Sequence, residues 1–414
     1  MERLKLILLM LFAFAVPWEY SLDLGEPLGN VARILGILSL VALIPAVLMN
    51  GAVRRPGLVQ WLVLAFYLYF VCSYFWTIDQ EATVEKMRAY FQVMMIVWIV
   101  WEVGDAQEHL SGLIFAFVAG CWVLAILTLL NFAQASESSA LQIADQARFV
   151  ADGQDPNDVA RFLDLGFPLA ALLFAKESRW WMRWAAIGYM PAGLLAVLLT
   201  GSRGGFSAAI VAFLGSAILL LTWRPRIASA ILIGLGIVGG ALFLFVPVET
   251  LNRLATIPGE VQGGDWNDRL NIWDAGWHAF RQAPIFGSGA GTFTAAARLA
   301  EGDTAHNTVI AVMVTGGLAG TAIFISIICG VVRAIFRTTG LIRIAFGTTF
   351  VVWMITSMVG SVEENRATWL IWGMMALAGR LAIEQPGQVS ETGMDSLWGG
   401  LRQGLRPQRT LAGR

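Results

Sequence analysis

The sequence predicts an all-α polytopic membrane protein. About twelve transmembrane helices are expected, with both termini cytoplasmic and a large extracytoplasmic loop between helices 9 and 10. Three observations carry this. Of 414 residues, 57% are hydrophobic and only 14% charged, against about 25% charged in an ordinary soluble domain. Apolar runs long enough to cross a bilayer, which needs roughly 20 residues, recur along nearly the whole chain. Lysine and arginine gather in alternate connections between those runs, as the positive-inside rule requires.

In order, the spans fall near 5–18, 30–49, 57–76, 88–102, 110–132, 161–176, 184–200, 205–223, 227–247, 307–332, 341–360 and 367–383. The first follows Arg3 and Lys5 and contains Ala13 and Ala15, as a signal peptide would. It precedes Pro17 and Trp18 with no clear cleavage site, so it is read as an uncleaved helix. The connections assigned to the cytoplasm hold Arg54, Arg55, Lys176, Arg179, Arg183, Arg224, Arg226, Arg333, Arg337 and Arg343. The loop 102–109 dissents with three acidic residues, which weigh little in the rule. Residues 1–383 form one transmembrane domain with extracytoplasmic segments 133–160 and 248–306. Residues 384–414 are a Gly- and Arg-rich cytoplasmic tail expected to be disordered.

Net charge is −1, so there is no global basic field to attract nucleic acid. Cys72, Cys121 and Cys329 all fall in apolar runs, which excludes a disulfide framework and any thiolate metal cluster of recognisable spacing. Of the 17 tryptophans, Trp18, Trp76, Trp101 and Trp223 end apolar runs, where an indole suits the membrane interface.

Arginine beside a span is costly and needs a reason. Arg203 lies in Gly201-Ser202-Arg203-Gly204-Gly205, a break between two apolar runs on the outer side. Three glycines let the backbone turn tightly, and the next helix begins there, so its amides face the same spot. A guanidinium beside free amides is an anion trap. The alternative is a hairpin whose arginine snorkels to the headgroups.

Residues 268–282 have helical periodicity, with an apolar stripe of Leu270, Trp273, Trp277 and Phe280 and a polar one of Asp274, His278 and Arg281. Asn267 or Asp268 can cap this helix, which is expected to lie on the outer membrane surface. Arg269 in its first turn has the bland alternative of a solvated charge. Gly287-Ser288-Gly289-Ala290-Gly291 follows no strand and is read as a flexible turn, not a nucleotide loop.

His109 belongs to a cytoplasmic loop and His278 to the surface helix. Only His306, in Thr304-Ala305-His306-Asn307-Thr308, stands at the head of a membrane helix facing outward. No His-Glu-x-x-His motif or His-rich ligand set exists. The acidic cluster Asp152, Asp155 and Asp158 reads as the start of the sixth helix before it reads as a cation site. No metal and no cofactor are expected.

Asp155-Pro156-Asn157-Asp158, Ser202-Arg203-Gly204-Gly205, Arg269-Leu270-x-x-Trp273, Pro284-x-x-Gly287-x-Gly289, and Ala305-His306-Asn307-Thr308 leading into Gly316-Gly317-Leu318-x-Gly320 together resemble the O-antigen ligase and polymerase superfamily. Their order, spacing and common side make the combination specific where no single motif is. The resemblance implies a membrane glycosyltransferase of lipopolysaccharide biosynthesis in the inner membrane, active on the periplasmic face. Its donor would be a glycan on undecaprenyl diphosphate and its acceptor the lipid A core or a lipid-linked repeat unit. It implies that Arg203 and Arg269 contact the diphosphate and that His306 activates the acceptor hydroxyl, with Ser202, Gly204 and Asn307 in support.

O-antigen ligase is the first reading and an O-antigen or exopolysaccharide polymerase the alternative. Glycan and acceptor identity are not written in these motifs. A twelve-helix transporter is the distant third. Carriers of that size arise from two repeated halves, and here the long loops fall after spans 5 and 9, not at the middle.

Overall fold

The computed structural model describes residues 2–25, 29–50, 53–137, 148–261, 264, 269–300 and 302–385. It is helical throughout, with no strand among the described residues. The long helices are α1 (Glu2–Ala15), α2 (Val31–Asn50), α3 (Leu58–Cys72), α4 (Gln80–Val103), α5 (Gln107–Glu137), α6 (Pro156–Lys176), α7 (Trp180–Leu199), α8 (Arg203–Trp223) and α9 (Pro225–Leu242). Four short helices follow: α10 (Val248–Ala255), α11 (Ile257–Val261), α12 (Arg269–Gln282) and α13 (Phe293–Ala297). Then come α14 (Thr308–Arg337), α15 (Gly340–Ser357) and α16 (Arg366–Glu384). A 3-10 turn, Val16–Ser21, extends α1.

Each apolar run read as a span coincides with one of the twelve long helices. Eight helices are long and apolar enough to cross a membrane, which makes this a polytopic membrane protein by length and composition. The others have identifiable reasons to fall short. In α2 the apolar stretch is the shorter Val31–Pro45. Charged residues interrupt α4 (Glu81, Glu85, Lys86, Arg88), α6 (Asp158, Arg161, Asp164) and α16 (Arg366, Arg380).

For α6 and α16 the structure supplies the cause. Both are buried almost end to end. Helix α6 is enclosed by α5, α7, α8 and α15, and α16 by α4, α5 and α14. Surrounded by protein, these helices can carry groups that lipid would reject. The core between them is dense in rings, with Trp353, Trp369 and Trp372 meeting edge to face at centroid distances of 4.7 and 5.2 Å. Helix α9 is the opposite case: of its residues only Ala228 and Gly239 are buried, while Ile233 and Ile237 point outward.

Residues 284–289 are held by a break in α14. Gly317 adopts φ 61°, ψ −163° inside that helix, which only glycine takes without strain. The amides freed by the break are met from outside the helix. Leu318 N–H donates to Pro284 O at 2.8 Å and Ala319 N–H to Ile285 O at 3.1 Å. In return Ser288 and Gly289 N–H donate to Val314 and Thr315 O, both at 3.0 Å. The turn 287–291, expected to be flexible, is thus wedged into the bundle. Ala290 is fully buried, and Gly287, Gly289 and Gly291 all have positive φ.

Helix α12 forms as its periodicity predicts, but the buried stripe differs. Ile272, Gly276, Ala279 and Phe280 face inward, while Leu270 and Trp277 are exposed. Gly276 lets Ile310 of α14 and Phe293 of α13 come close, and small residues win the contact face where backbones approach. The polar stripe is as expected: His278 sits 3.4 Å from Asp274 and 2.7 Å from Arg281. The expected cap, Asn267 or Asp268, and the tail beyond Gln385 lie outside the described residues.

Candidate functional site

The C-terminal ends of α1 and α7 and the N-terminal ends of α6, α8, α14 and α16 meet at one end of the bundle. Gln154 Nε2 donates to Ser21 Oγ (3.2 Å), and Phe149 N–H to Leu199 O (2.9 Å). Thr308 Oγ donates to Gly360 O (2.9 Å), and Arg366 to Gln92 of α4 (2.8 Å). The motifs dispersed over residues 155–320 converge here.

Arg203 is the first residue of α8. Ser202 caps it by accepting from Gly205 N–H at 3.1 Å. The same hydroxyl donates to Asn157 Oδ1 at 2.8 Å, which ties the Asp155–Asp158 motif to the Ser202–Gly205 motif. Asp155 caps α6, accepting from Asn157 N–H at 2.8 Å. Asp158 pairs with the buried Arg161 at 2.9 Å, and Asp152 accepts from Asn131 at 3.2 Å. The acidic cluster is therefore a helix start. Among the described residues no three His, Cys, Asp or Glu side chains gather as a metal site would require. Gly204 packs on Val359 and Gly205 on Ala160, where a Cβ would collide.

Two arginines not singled out from sequence join Arg203. Arg148 Nε donates to Thr200 O at 3.0 Å, and Arg253 Nε to Gly201 O at 3.1 Å. Both close over the turn because Gly201, at φ 59°, offers no side chain. Arg203 itself donates to Thr256 at 3.1 Å. The only sequence signal was arginine on the side of the membrane that the positive-inside rule leaves poor in it.

Arg269 opens α12, half-buried. One turn later Trp273 Nε1 donates to Ala305 O at 3.0 Å, so the Arg269-x-x-x-Trp273 spacing fixes Arg269 relative to residue 306. His306 is pinned from the other side by Asn307, which caps α14 through Val309 and Ile310 N–H (3.0 and 3.1 Å) and donates to Met358 O (3.4 Å). Held between these anchors, His306 takes φ 45°. Such a left-handed non-glycine backbone is sparsely populated and persists only where its surroundings over-determine it.

The charges are close enough to act on one another. Burial, then the Arg253, Arg269 and Arg203 cations opposed by Asp155, brings Arg148 down to about 10. Burial first, then Arg203, lowers Arg269, and the same two causes lower Arg253. Burial, then the Arg269 cation, also lowers His306 against the pull of Asp155, Asp303 and Asp158. The result is a neutral imidazole at the edge of a cluster of guanidiniums, a field that favours an anion.

The structure thus brings Arg203, Arg269, His306, Ser202, Gly204 and Asn307 together. It leaves His278 apart, beside Asp274 and Arg281 on the exposed face of α12, and His109 at the start of α5 beside Asp105 (2.7 Å). No curated protein is similar enough to the chain to match it. The family described as O-antigen ligase does match, over residues 188–325, the stretch that holds Arg203, Arg253, Arg269 and His306. Residues 188–325 are therefore similar to the O-antigen ligase family, the one that the chain's motifs resemble.

Proposed function

We propose that this protein moves a glycan from undecaprenyl diphosphate to an acceptor hydroxyl on the periplasmic face of the inner membrane, without a metal. The observation that carries the reading is the gathering of Arg148, Arg203, Arg253 and Arg269 into one cluster, with His306 close enough to Arg269 to feel its charge. In this scheme the guanidiniums bind the donor diphosphate, whose oxygens suit their forked, permanently charged geometry. The neutral His306 takes the proton from the acceptor hydroxyl as its oxygen bonds to the anomeric carbon. The bond from that carbon to the diphosphate breaks, and the diphosphate leaves with the electron pair. Negative charge grows where the arginines already stand, so little reorganisation is needed. Asp155 and Asp303 favour the imidazolium that results.

The same proposal includes twelve spans, both termini cytoplasmic and residues 1–383 as one transmembrane domain with extracytoplasmic segments 133–160 and 248–306. The first reading of the acceptor is the lipid A core, which makes the enzyme an O-antigen ligase. A lipid-linked repeat unit is the second, and a lipid-sized cleft described below favours it.

The test is transfer of labelled glycan by purified variants in the presence and absence of EDTA. His306→Asn keeps a residue tolerant of positive φ and should lose ~10²–10⁴-fold. Arg203→Ala and Arg269→Ala should each lose ~10²–10³-fold, with lysine replacements recovering part. His278→Ala should stay near wild type. Comparable losses at His278 and His306, or activity that vanishes in EDTA and returns with Mg²⁺, would overturn the scheme.

A further inference from the structure

Away from the arginine cluster, a cleft of about 470 Å³ opens between α1, α2, α3 and α4. That is within the size range of ligand pockets. Its walls are apolar, among them Phe12, Ile37, Tyr67, Phe91, Met95 and Ile99. Along α4 it runs from Val84 to Ile99, about 22 Å at 1.5 Å per residue. This is roughly three quarters of a ~30 Å hydrocarbon core, deep enough to take the start of a long lipid chain.

One end is charged. Arg33, at the start of α2, Arg88, in the third turn of α4, and Arg366, at the start of α16, line it. Arg366 is compensated by the buried Glu19 and by Gln92. Arg33 and Arg88 are exposed and make no ion pair among the described residues. Two guanidiniums at the mouth of an apolar channel match a phosphate with a hydrocarbon chain below it. A single channel of this volume takes one chain, not the several acyl chains of lipid A. Flexible methionine walls suit a methyl-branched chain. The mouth also lies near the reacting end. Glu19 is close enough to Asp158 and Arg161 to feel their charges, and Asp158 acts in turn on His306.

We propose that this cleft is a second lipid site, which holds the single polyprenyl chain and phosphate of an acceptor that is itself linked to polyprenyl diphosphate. Its purpose rests on the glycan-transfer reading, whereas its existence as a site does not.

The test is native mass spectrometry of the full chain in detergent, with undecaprenyl phosphate as the probe. Wild type should bind two molecules. Arg33→Glu/Arg88→Glu should bind one, with occupancy of the second at least tenfold lower. Ile37→Trp, which fills the cleft and keeps its charges, should do the same. Arg203→Ala/Arg269→Ala should lose the other molecule. An equal concentration of phosphatidylglycerol should displace neither. Two molecules retained on Arg33→Glu/Arg88→Glu, one molecule on wild type, or displacement by phosphatidylglycerol would each overturn the second site. Should His306→Asn keep full transfer while the two-molecule pattern holds, the catalytic reading falls and the cleft stands. In the transfer assay Arg33→Glu/Arg88→Glu should raise KM for a lipid-linked acceptor about tenfold and leave that of the donor unchanged.

Discussion

At the scale of single residues, His306 is where environment matters most, because a general base must be neutral to accept a proton. Burial and the Arg269 cation hold its pKa below the ordinary value of about 6.5. Activity should therefore persist as pH falls to that value and decline only beneath it. Arg269→Gln removes a depressing charge and should move the acid limb of kcat/KM to higher pH, besides lowering its plateau. Asp303→Asn removes a charge that raises His306 and should move the limb to lower pH. A limb that stays fixed in both variants would show that some other group titrates. The positions of Arg203 and His306 were readable in the sequence because each sits in a short run with glycine, serine or asparagine at a helix start, where capping dictates local geometry, and that of Arg269 through its spacing to Trp273. Arg148 and Arg253 were not. Nothing near them in sequence marks them, and only the closure of distant segments over Gly201 gives them a role.

At the scale of elements, the broken helix α14 governs how the outer segment is held. Gly287 and Gly317 stand back to back. A Cβ on Gly317 would lie 2.5 Å from Gly287 N and from Ile285 O, and one on Gly287 would strike the Thr315 carbonyl. Both have positive φ. Gly287→Ala and Gly317→Ala should each destabilise the protein by about 1–3 kcal/mol. Gly234→Ala is the control: it meets nothing within 4 Å and lies mid-helix, where alanine is favoured over glycine by about 0.5–1 kcal/mol. Thermal unfolding in micelles reads the difference, and equal midpoints for all three would refute the interlock. The position of α12 was legible from its 3.6-residue period, but its inward face was not. The hydrophobic stripe chose Leu270 and Trp277, whereas contact with α14 and α13 chose Gly276 and its neighbours. A helix between a membrane and a protein has two apolar partners, and periodicity alone does not say which stripe faces which.

At the scale of the whole molecule, the topology proposed from charge is checked by cysteine accessibility. With Cys72 and Cys329 first replaced by Ser, Asp152→Cys and Asn252→Cys, both exposed, should react with impermeant maleimide from the periplasm. Arg55→Cys and Thr339→Cys, also exposed, should react only after the membrane is opened. Labelling of Asn252→Cys from the cytoplasm would turn the arginine cluster to the wrong side. The positions of the long helices and of α12, and the identity of the motifs, were determined by the sequence itself, whereas the short helices α10, α11 and α13 were not. Hydropathy, glycine and capping residues act locally, and a bilayer leaves backbone groups little choice but helix. What only the tertiary structure decided is which helices are enclosed. The charged α6 and α16 look like poor spans by composition and are the most buried. It also decided that guanidiniums from four separate segments share one anion-favouring field beside His306, and that α1–α4 part to leave a cleft. These are consequences of which helix packs on which, and packing partners are set by shape over the whole bundle, not by any local run of residues.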